Sequence, residues 1–152
     1  MSGRLNRSRG TIWILGLALA AVGSLSACST PTVSTSAGVP AASAPATGAT
    51  LSPAEFAAAS KLPGTVLLDV RTPAEFAAGH LPGATNIDVE SAGFATAVTQ
   101  LDPSKTYAIY CRSGNRSKAA MATLQQAGFA SVFHLGGGIT SWQAAGGDVT
   151  TA

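Results

Sequence analysis

Three short apolar runs rich in β-branched and aromatic residues govern what this chain can fold into: Thr65–Val70 (TVLLDV), Thr106–Tyr110 (TYAIY) and Val132–Leu135 (VFHL). Runs this short, with little polar alternation, read as strands buried on both faces. Ala84–Ile87 reads as a further, shorter strand. Helical patterns lie between them. Ser52-Pro53-Ala54-Glu55 is a capping box with proline at the first helical position, opening a helix near 53–60. Thr72-Pro73-Ala74-Glu75 repeats that signature and opens a second short helix that Gly79 stops. From Ser91 to Leu101, Phe94, Ala97, Val98 and Leu101 recur at helical spacing before the break at Asp102-Pro103. A longer helix is predicted from about Arg116 to Ala127, with Ala120, Leu124 and Ala127 on one face and Gly128 as its stop. A closing helix runs from Ile139 to Ala145, ended by Gly146-Gly147. Strands alternating with helices predict an α/β domain with a parallel sheet covered on both faces.

The 152 residues allow one such domain, and the first fifty do not belong to it. Arg4, Arg7 and Arg9 precede an apolar run from Thr11 to Leu25 that glycines interrupt at 16 and 23. That run is shorter than the roughly 20 residues needed to cross a bilayer, and it reads as a secretory signal over residues 1–27. Leu25-Ser26-Ala27-Cys28 resembles the lipobox of bacterial lipoproteins. The resemblance implies cleavage before Cys28 and attachment of lipid to its sulfur, on the extracytoplasmic side of the cell envelope. Residues 28–50 carry no charge and no aromatic side chain, so they read as a disordered tether spanning about 25 Å. The domain is then expected over 51–148, with a tail at 149–152.

Charge follows the same division. No acidic residue precedes Glu55, and without residues 1–27 the chain holds six basic against seven acidic side chains. The calculated pI of 8.8 therefore belongs to the whole chain, and the folded part has no basic stripe to suit a nucleic acid. The two cysteines, Cys28 and Cys111, each sit in a separate motif, so Cys111 is expected as a free thiol.

The chemistry concentrates at Tyr110-Cys111-Arg112-Ser113-Gly114-Asn115-Arg116-Ser117. A cysteine ends a buried strand, a short polar loop follows, and a helix opens at its far end. Successive loop amides form an anion-binding cradle, and the helix N-terminus adds positive potential. With two guanidinium groups nearby, thiolate is favoured over thiol. Ligands in parallel sheets bind at the carboxyl ends of strands, which points to this loop and to Asp69–Arg71.

Four motifs in register, Leu68-Asp69-Val70-Arg71-Thr72-Pro73-Ala74-Glu75-Phe76, Gly79-His80-Leu81-Pro82-Gly83-Ala84-Thr85-Asn86-Ile87, Cys111 to Ser117, and Leu135-Gly136-Gly137-Gly138-Ile139 with Trp142 and Gly146, resemble the single-domain rhodaneses. The resemblance implies a rhodanese-like fold, a small parallel sheet of four to five strands flanked by helices. It implies sulfane-sulfur transfer in two steps through a Cys111 persulfide, from a small anionic donor such as thiosulfate to cyanide or a thiol, without metal or organic cofactor. Arg112, Ser113, Gly114, Asn115, Arg116 and Ser117 would form the donor site. Asp69, Arg71 and Glu75 would be structural supports, a general-base role for Asp69 being the alternative. Phosphatase relatives place five residues between the cysteine and the clamping arginine; here four separate Cys111 from Arg116, and Ser117 holds the phosphatase position.

Several residues keep two readings at this level. Arg116 is either a donor ligand or a partner of Glu75 or of helix carbonyls. His80 reads as a loop-fixing hydrogen-bond partner, His134 as either satisfied or exposed, and Trp142 as core or pocket wall. The glycines at 136–138 lack a phosphate-binding pattern and read as permitting close approach to the active loop. An envelope sulfur carrier or thiol-redox partner using the same cysteine is the alternative function, and an inactive binding module a third. Cys28→Ser is expected to shift the protein's gel mobility and release it from the membrane fraction into the medium, measured by fractionation and immunoblotting.

Overall fold

The computed structural model describes residues 43–151. The expected signal segment 1–27, the lipidation site Cys28 and most of the 28–50 stretch lie outside the described residues. The elements follow in the order β1 (Thr50–Leu51), α1 (Pro53–Ala59), β2 (Thr65–Asp69), α2 (Pro73–Ala78), β3 (Thr85–Asn86), α3 (Phe94–Thr99), β4 (Thr106–Tyr110), α4 (Asn115–Gln126), β5 (Val132–Leu135) and α5 (Gly138–Ala144). The strands form one five-stranded sheet in the order β1-β5-β4-β2-β3, every neighbouring pair parallel. This is the α/β architecture the apolar runs predict.

Strand β4 lies at the centre, and its side chains alternate between two cores. Tyr107 and Ile109 join Leu68, Val98, Ala120 and Leu124 on the face covered by α3 and α4. Ala108 and Tyr110 join Phe56, Phe133, Leu135 and Ile139 on the face covered by α1 and α5. From β2 the chain runs outward to β3, whereas from β4 it runs the other way to β5. The carboxyl ends of β2 and β4 therefore flank the point where strand order reverses, where a parallel sheet opens a crevice.

Both predicted capping boxes form. Ser52 and Glu55 satisfy each other's backbone N–H groups at the start of α1, as do Thr72 and Glu75 at the start of α2. Other boundaries shift. Helix α3 is shorter than Ser91–Leu101 because Ser91–Gly93 form turns. Helix α4 opens at Asn115, and its buried face is Ser117, Ala120, Met121 and Leu124, with Ala127 exposed beyond its end.

Two expected domain limits are corrected. The folded unit begins before residue 51, because the edge of β5 is closed by the segment assigned to the tether. Gly48 N–H donates to the Val132 carbonyl at 2.7 Å, His134 N–H donates to the Ala49 carbonyl at 3.0 Å, and Thr50 pairs with His134. Such an edge needs only backbone partners, and a short uncharged stretch supplies them without an apolar pattern of its own. The 149–152 tail is likewise not loose, since Thr150 and His80 exchange both backbone hydrogen bonds at 2.8 Å.

Where the glycine turn enters α5, its backbone lies directly against the backbone of the cysteine loop. Gly138 has φ +60°, and a Cβ there would lie 2.3 Å from the Cys111 carbonyl oxygen. Gly138→Ala is expected to lower unfolding free energy in urea by about 2–4 kcal/mol, combining left-handed strain with a backbone clash. Gly128→Ala, at φ +91° but facing open space, should cost only about 1–2 kcal/mol in the same titration.

Candidate active site

Strand β4 delivers Cys111 to the crevice, where its side chain is buried with a free thiol. The loop turns back through Gly114, whose φ of +98° suits only glycine comfortably, and α4 starts at the next residue. In this conformation Gly114 N–H donates to Cys111 Sγ at 3.1 Å. The sulfur thus receives a backbone hydrogen bond beside the positive end of a twelve-residue helix.

The loop is held from behind by α5. Ile139 N–H donates to the Cys111 carbonyl at 2.8 Å, Thr140 N–H to the Arg112 carbonyl at 3.2 Å, and the Thr140 hydroxyl to that same carbonyl at 3.0 Å. With both carbonyls tied outward, the loop cannot rotate its peptide planes without breaking these bonds. The glycines at 136–138 permit this contact, as the sequence reading expected.

The residues assigned to donor binding divide into two groups. Arg112, Ser113 and Asn115 are exposed on the loop, and the Arg112 guanidinium makes no ion pair among the described residues. The side chains of Arg116 and Ser117 have partners within the protein, and for Arg116 this is the Glu75 pairing that the sequence left as its alternative. Arg116 forms a bidentate pair with Glu75, both bonds 2.8 Å, and a third bond to Glu90 at 3.0 Å. Ser117 is fully buried and donates to the Gly114 carbonyl at 3.0 Å.

The supports lie beside the loop. Asp69 and Arg71 form a buried pair, with Arg71 Nε 2.9 and 3.0 Å from the two carboxylate oxygens, and Arg71 also donates to the Gly79 carbonyl at 2.7 Å. Burial opposes the Arg71 charge, but the Asp69 carboxylate more than offsets it, so its pKa rises. Both carboxylate oxygens of Asp69 are thus engaged by Arg71. Glu75 closes the α2 capping box through the same oxygen that receives Arg116. A shallow cavity of about 390 Å³ beside the loop is lined by Arg71, Glu75, Arg112, Thr140 and Gln143. A larger one, about 610 Å³, lies between Lys61, Leu67, Leu81 and Trp142 and contains no loop residue. Of these two cavities the smaller adjoins the cysteine loop, through Arg112.

The match to a family model for the rhodanese-like domain covers residues 52–145. The chain belongs to the rhodanese-like domain family. It is 36% identical over 89 residues to the thiosulfate sulfurtransferase GlpE of Pseudomonas entomophila, covering 59% of this chain and 80% of that one. It is 37% identical over 76 residues to the probable adenylyltransferase/sulfurtransferase MoeZ of Mycobacterium tuberculosis, covering half of this chain and 19% of that protein. This chain therefore spans about a fifth of the latter relative. A crystal structure of a rhodanese-related protein from Thermoplasma volcanium superimposes with a TM-score of 0.61 at 31% identity, covering 68% of this chain and 98% of that one.

Other parts of this rhodanese-like site were not singled out by sequence reasoning. Asn86 donates to the carbonyls of Asp69 and Arg71 at 2.9 and 2.8 Å, fixing the end of β2. The Tyr110 hydroxyl accepts Leu81 N–H at 3.0 Å, and its ring lies under the Arg71 guanidinium. Glu90 approaches Arg116 from a distant loop. Only the asparagine carried a signal, as a short amide after a strand. His80, read as a loop-fixing partner, bonds the Phe76 carbonyl at 3.0 Å and stacks on the Phe76 ring.

The Arg116 hydrogen bonds hold the Glu75 carboxyl down from its ordinary 4.5 to about 2, against the opposing effect of partial burial. The stabilisation is complete above the unfolded pKa and is lost as pH falls toward the folded one. Unfolding free energy is therefore expected to fall by about 2 kcal/mol between those two values, after discounting for partial exposure. Arg116→Met should flatten that loss in urea titrations at stepped pH.

Proposed function

We propose that this rhodanese-like domain is a sulfurtransferase that carries sulfane sulfur on Cys111. The carrying observation is the bond from Gly114 N–H to Cys111 Sγ at the head of α4, with Arg112 at the mouth making no ion pair among the described residues. In the first step the Cys111 thiolate attacks the outer sulfur of thiosulfate. A Cys111 S–S bond forms, the donor's S–S bond breaks, and sulfite leaves with that bond's electron pair and both negative charges of the dianion. In the second step cyanide or a thiolate attacks the outer persulfide sulfur, releasing thiocyanate or a new persulfide and restoring the Cys111 thiolate. The sulfur atom alone changes carrier, so no metal or redox cofactor takes part.

Each charged group has a distinct part in this reading. Arg71 and Arg116 are neutralised by carboxylates and hold the frame. Arg112 is left to attract the dianion. Cys111 is only 1% exposed, which favours a slender donor whose terminal sulfur enters the loop ring. The lipobox at Cys28 supports attachment to the outer side of a bacterial membrane, with the domain working in the cell envelope.

Mass spectrometry after thiosulfate treatment should show Cys111 gaining one sulfur, about 32 Da, as covalent transfer requires. Thiocyanate formation from thiosulfate and cyanide should vanish in Cys111→Ser and persist in Cys28→Ser. Arg112→Ala should raise the KM for thiosulfate about tenfold, the scale of one charge-assisted hydrogen bond. Absence of label on Cys111 overturns the reading, and a stable persulfide with negligible turnover replaces it with a sulfur carrier.

A further inference from the structure

Behind the loop, a continuous line of hydrogen bonds runs from the edge of the sheet to the sulfur. Thr50 Oγ1 lies 2.9 Å from His134 Nε2, and His134 Nδ1 lies 3.1 Å from Ser117 Oγ. Ser117 Oγ lies 3.0 Å from the Gly114 carbonyl, and Gly114 N–H meets Cys111 Sγ at 3.1 Å. His134 is 3% exposed and Ser117 is not exposed at all.

The chemistry of the end groups assigns the protons. A carbonyl only accepts, so the single Ser117 hydroxyl proton goes to Gly114. Ser117 can then only accept from His134, so the ring carries its proton on Nδ1. Nε2 is left as an acceptor, and Thr50 donates to it. Burial holds the His134 pKa below its ordinary value, with Lys118 adding to the effect, which keeps the ring in this neutral form.

We propose that His134 is a positioning residue for Cys111, its tautomer set at the Ser117 end of the line and its effect carried through Ser117 to Gly114. This rests on the reading of Cys111 as the nucleophile. Gly114 is the loop residue with the widest backbone freedom, and it holds φ +98°. Its carbonyl already accepts Lys118 N–H of α4 at 3.0 Å. The second bond, from Ser117, fixes that peptide plane from another direction. The adjoining plane, related to it by the φ and ψ of Gly114, carries the N–H aimed at the sulfur. Ser117 in turn is oriented by a ring that β5 holds rigidly. Two buried polar groups that merely satisfied each other would not require one fixed tautomer, whereas a directed line ending on a loop carbonyl does.

Variants of the full chain separate positioning from packing. Asparagine at 134 places an amide donor near the Nδ1 position, whereas glutamine reaches toward Nε2 and leaves Ser117 without its donor. In single-turnover loading with thiosulfate, followed by mass spectrometry, His134→Gln and Ser117→Ala are expected to slow persulfide formation about tenfold at saturating donor. The donor concentration for half-maximal rate should not move. His134→Asn should stay within about twofold of the parent rate. Nitrogen-resolved NMR of the ring should show the Nδ1–H tautomer in the parent and a mixture in Ser117→Ala. The proposal is overturned if His134→Gln and Ser117→Ala load at the parent rate, or if the parent ring carries its proton on Nε2. It is equally overturned if His134→Asn is as slow as His134→Gln while both share a lowered urea midpoint, since that pattern belongs to packing. Failure of the parent protein to load any sulfur would instead remove the nucleophile reading itself.

Discussion

Two carbonyl groups, those of Cys111 and Arg112, determine what the rest of this site can be. They follow a strand buried at the centre of a parallel sheet, where an unpaired carbonyl costs on the order of a kcal/mol or more. The first turn of α5 supplies their partners from Ile139 and Thr140. That arrangement requires α5 to approach the loop backbone more closely than any side chain at Gly138 would permit. Once the carbonyls are tied back, the loop's amides are free to turn toward the sulfur. The glycine turn, the clamp and the hydrogen bond to Sγ are therefore consequences of one backbone requirement.

A second consequence concerns charge. Three arginines gather at the crevice, and all three in a free state would repel one another and bind anions indiscriminately. Two are engaged by carboxylates of the same neighbourhood: Arg71 by Asp69 inside the protein, and Arg116 by Glu75 and Glu90 nearer the surface. Glu75 does two things with one carboxylate, completing the cap of α2 and receiving Arg116 from α4. The orientation of α2 is thereby locked to the helix that begins at the cysteine loop. What is left over at the mouth is a single guanidinium on the loop itself.

The legible part of this protein was the part written in side-chain pattern. The runs at Thr65, Thr106 and Val132 show themselves as buried strands because every side chain along them meets a core. The two capping boxes show themselves because their geometry is local. Strand β1 was not legible, since an edge pairing made of backbone bonds asks nothing of its side chains, and the tether boundary falls between its two residues, Thr50 and Leu51. The Thr150 pairing with His80 was hidden for the same reason. Within the site, the sequence pattern sets Cys111 after a buried strand and Arg112 on the loop, and leaves Arg116 open between the donor and Glu75. Spacing along the chain says that four residues separate Cys111 from Arg116. It does not say that helix geometry has already carried Arg116 around toward Glu75.

The misplaced boundary and the hidden line of hydrogen bonds are one observation seen twice. Thr50 is the residue whose inclusion in the domain could not be read from composition, and it is also the hydroxyl that faces His134. A domain drawn from residue 51 would keep every recognisable motif: the cysteine loop, both capping boxes and the glycine turn. It would expose Nε2 of a histidine that the fold otherwise buries, and leave the edge of β5 without its partner. The loop that carries Cys111 is thus joined by hydrogen bonds to a part of the chain with no chemical signature of its own. A site assembled on a sheet depends on which backbone closes the edge as much as on which side chains line the crevice.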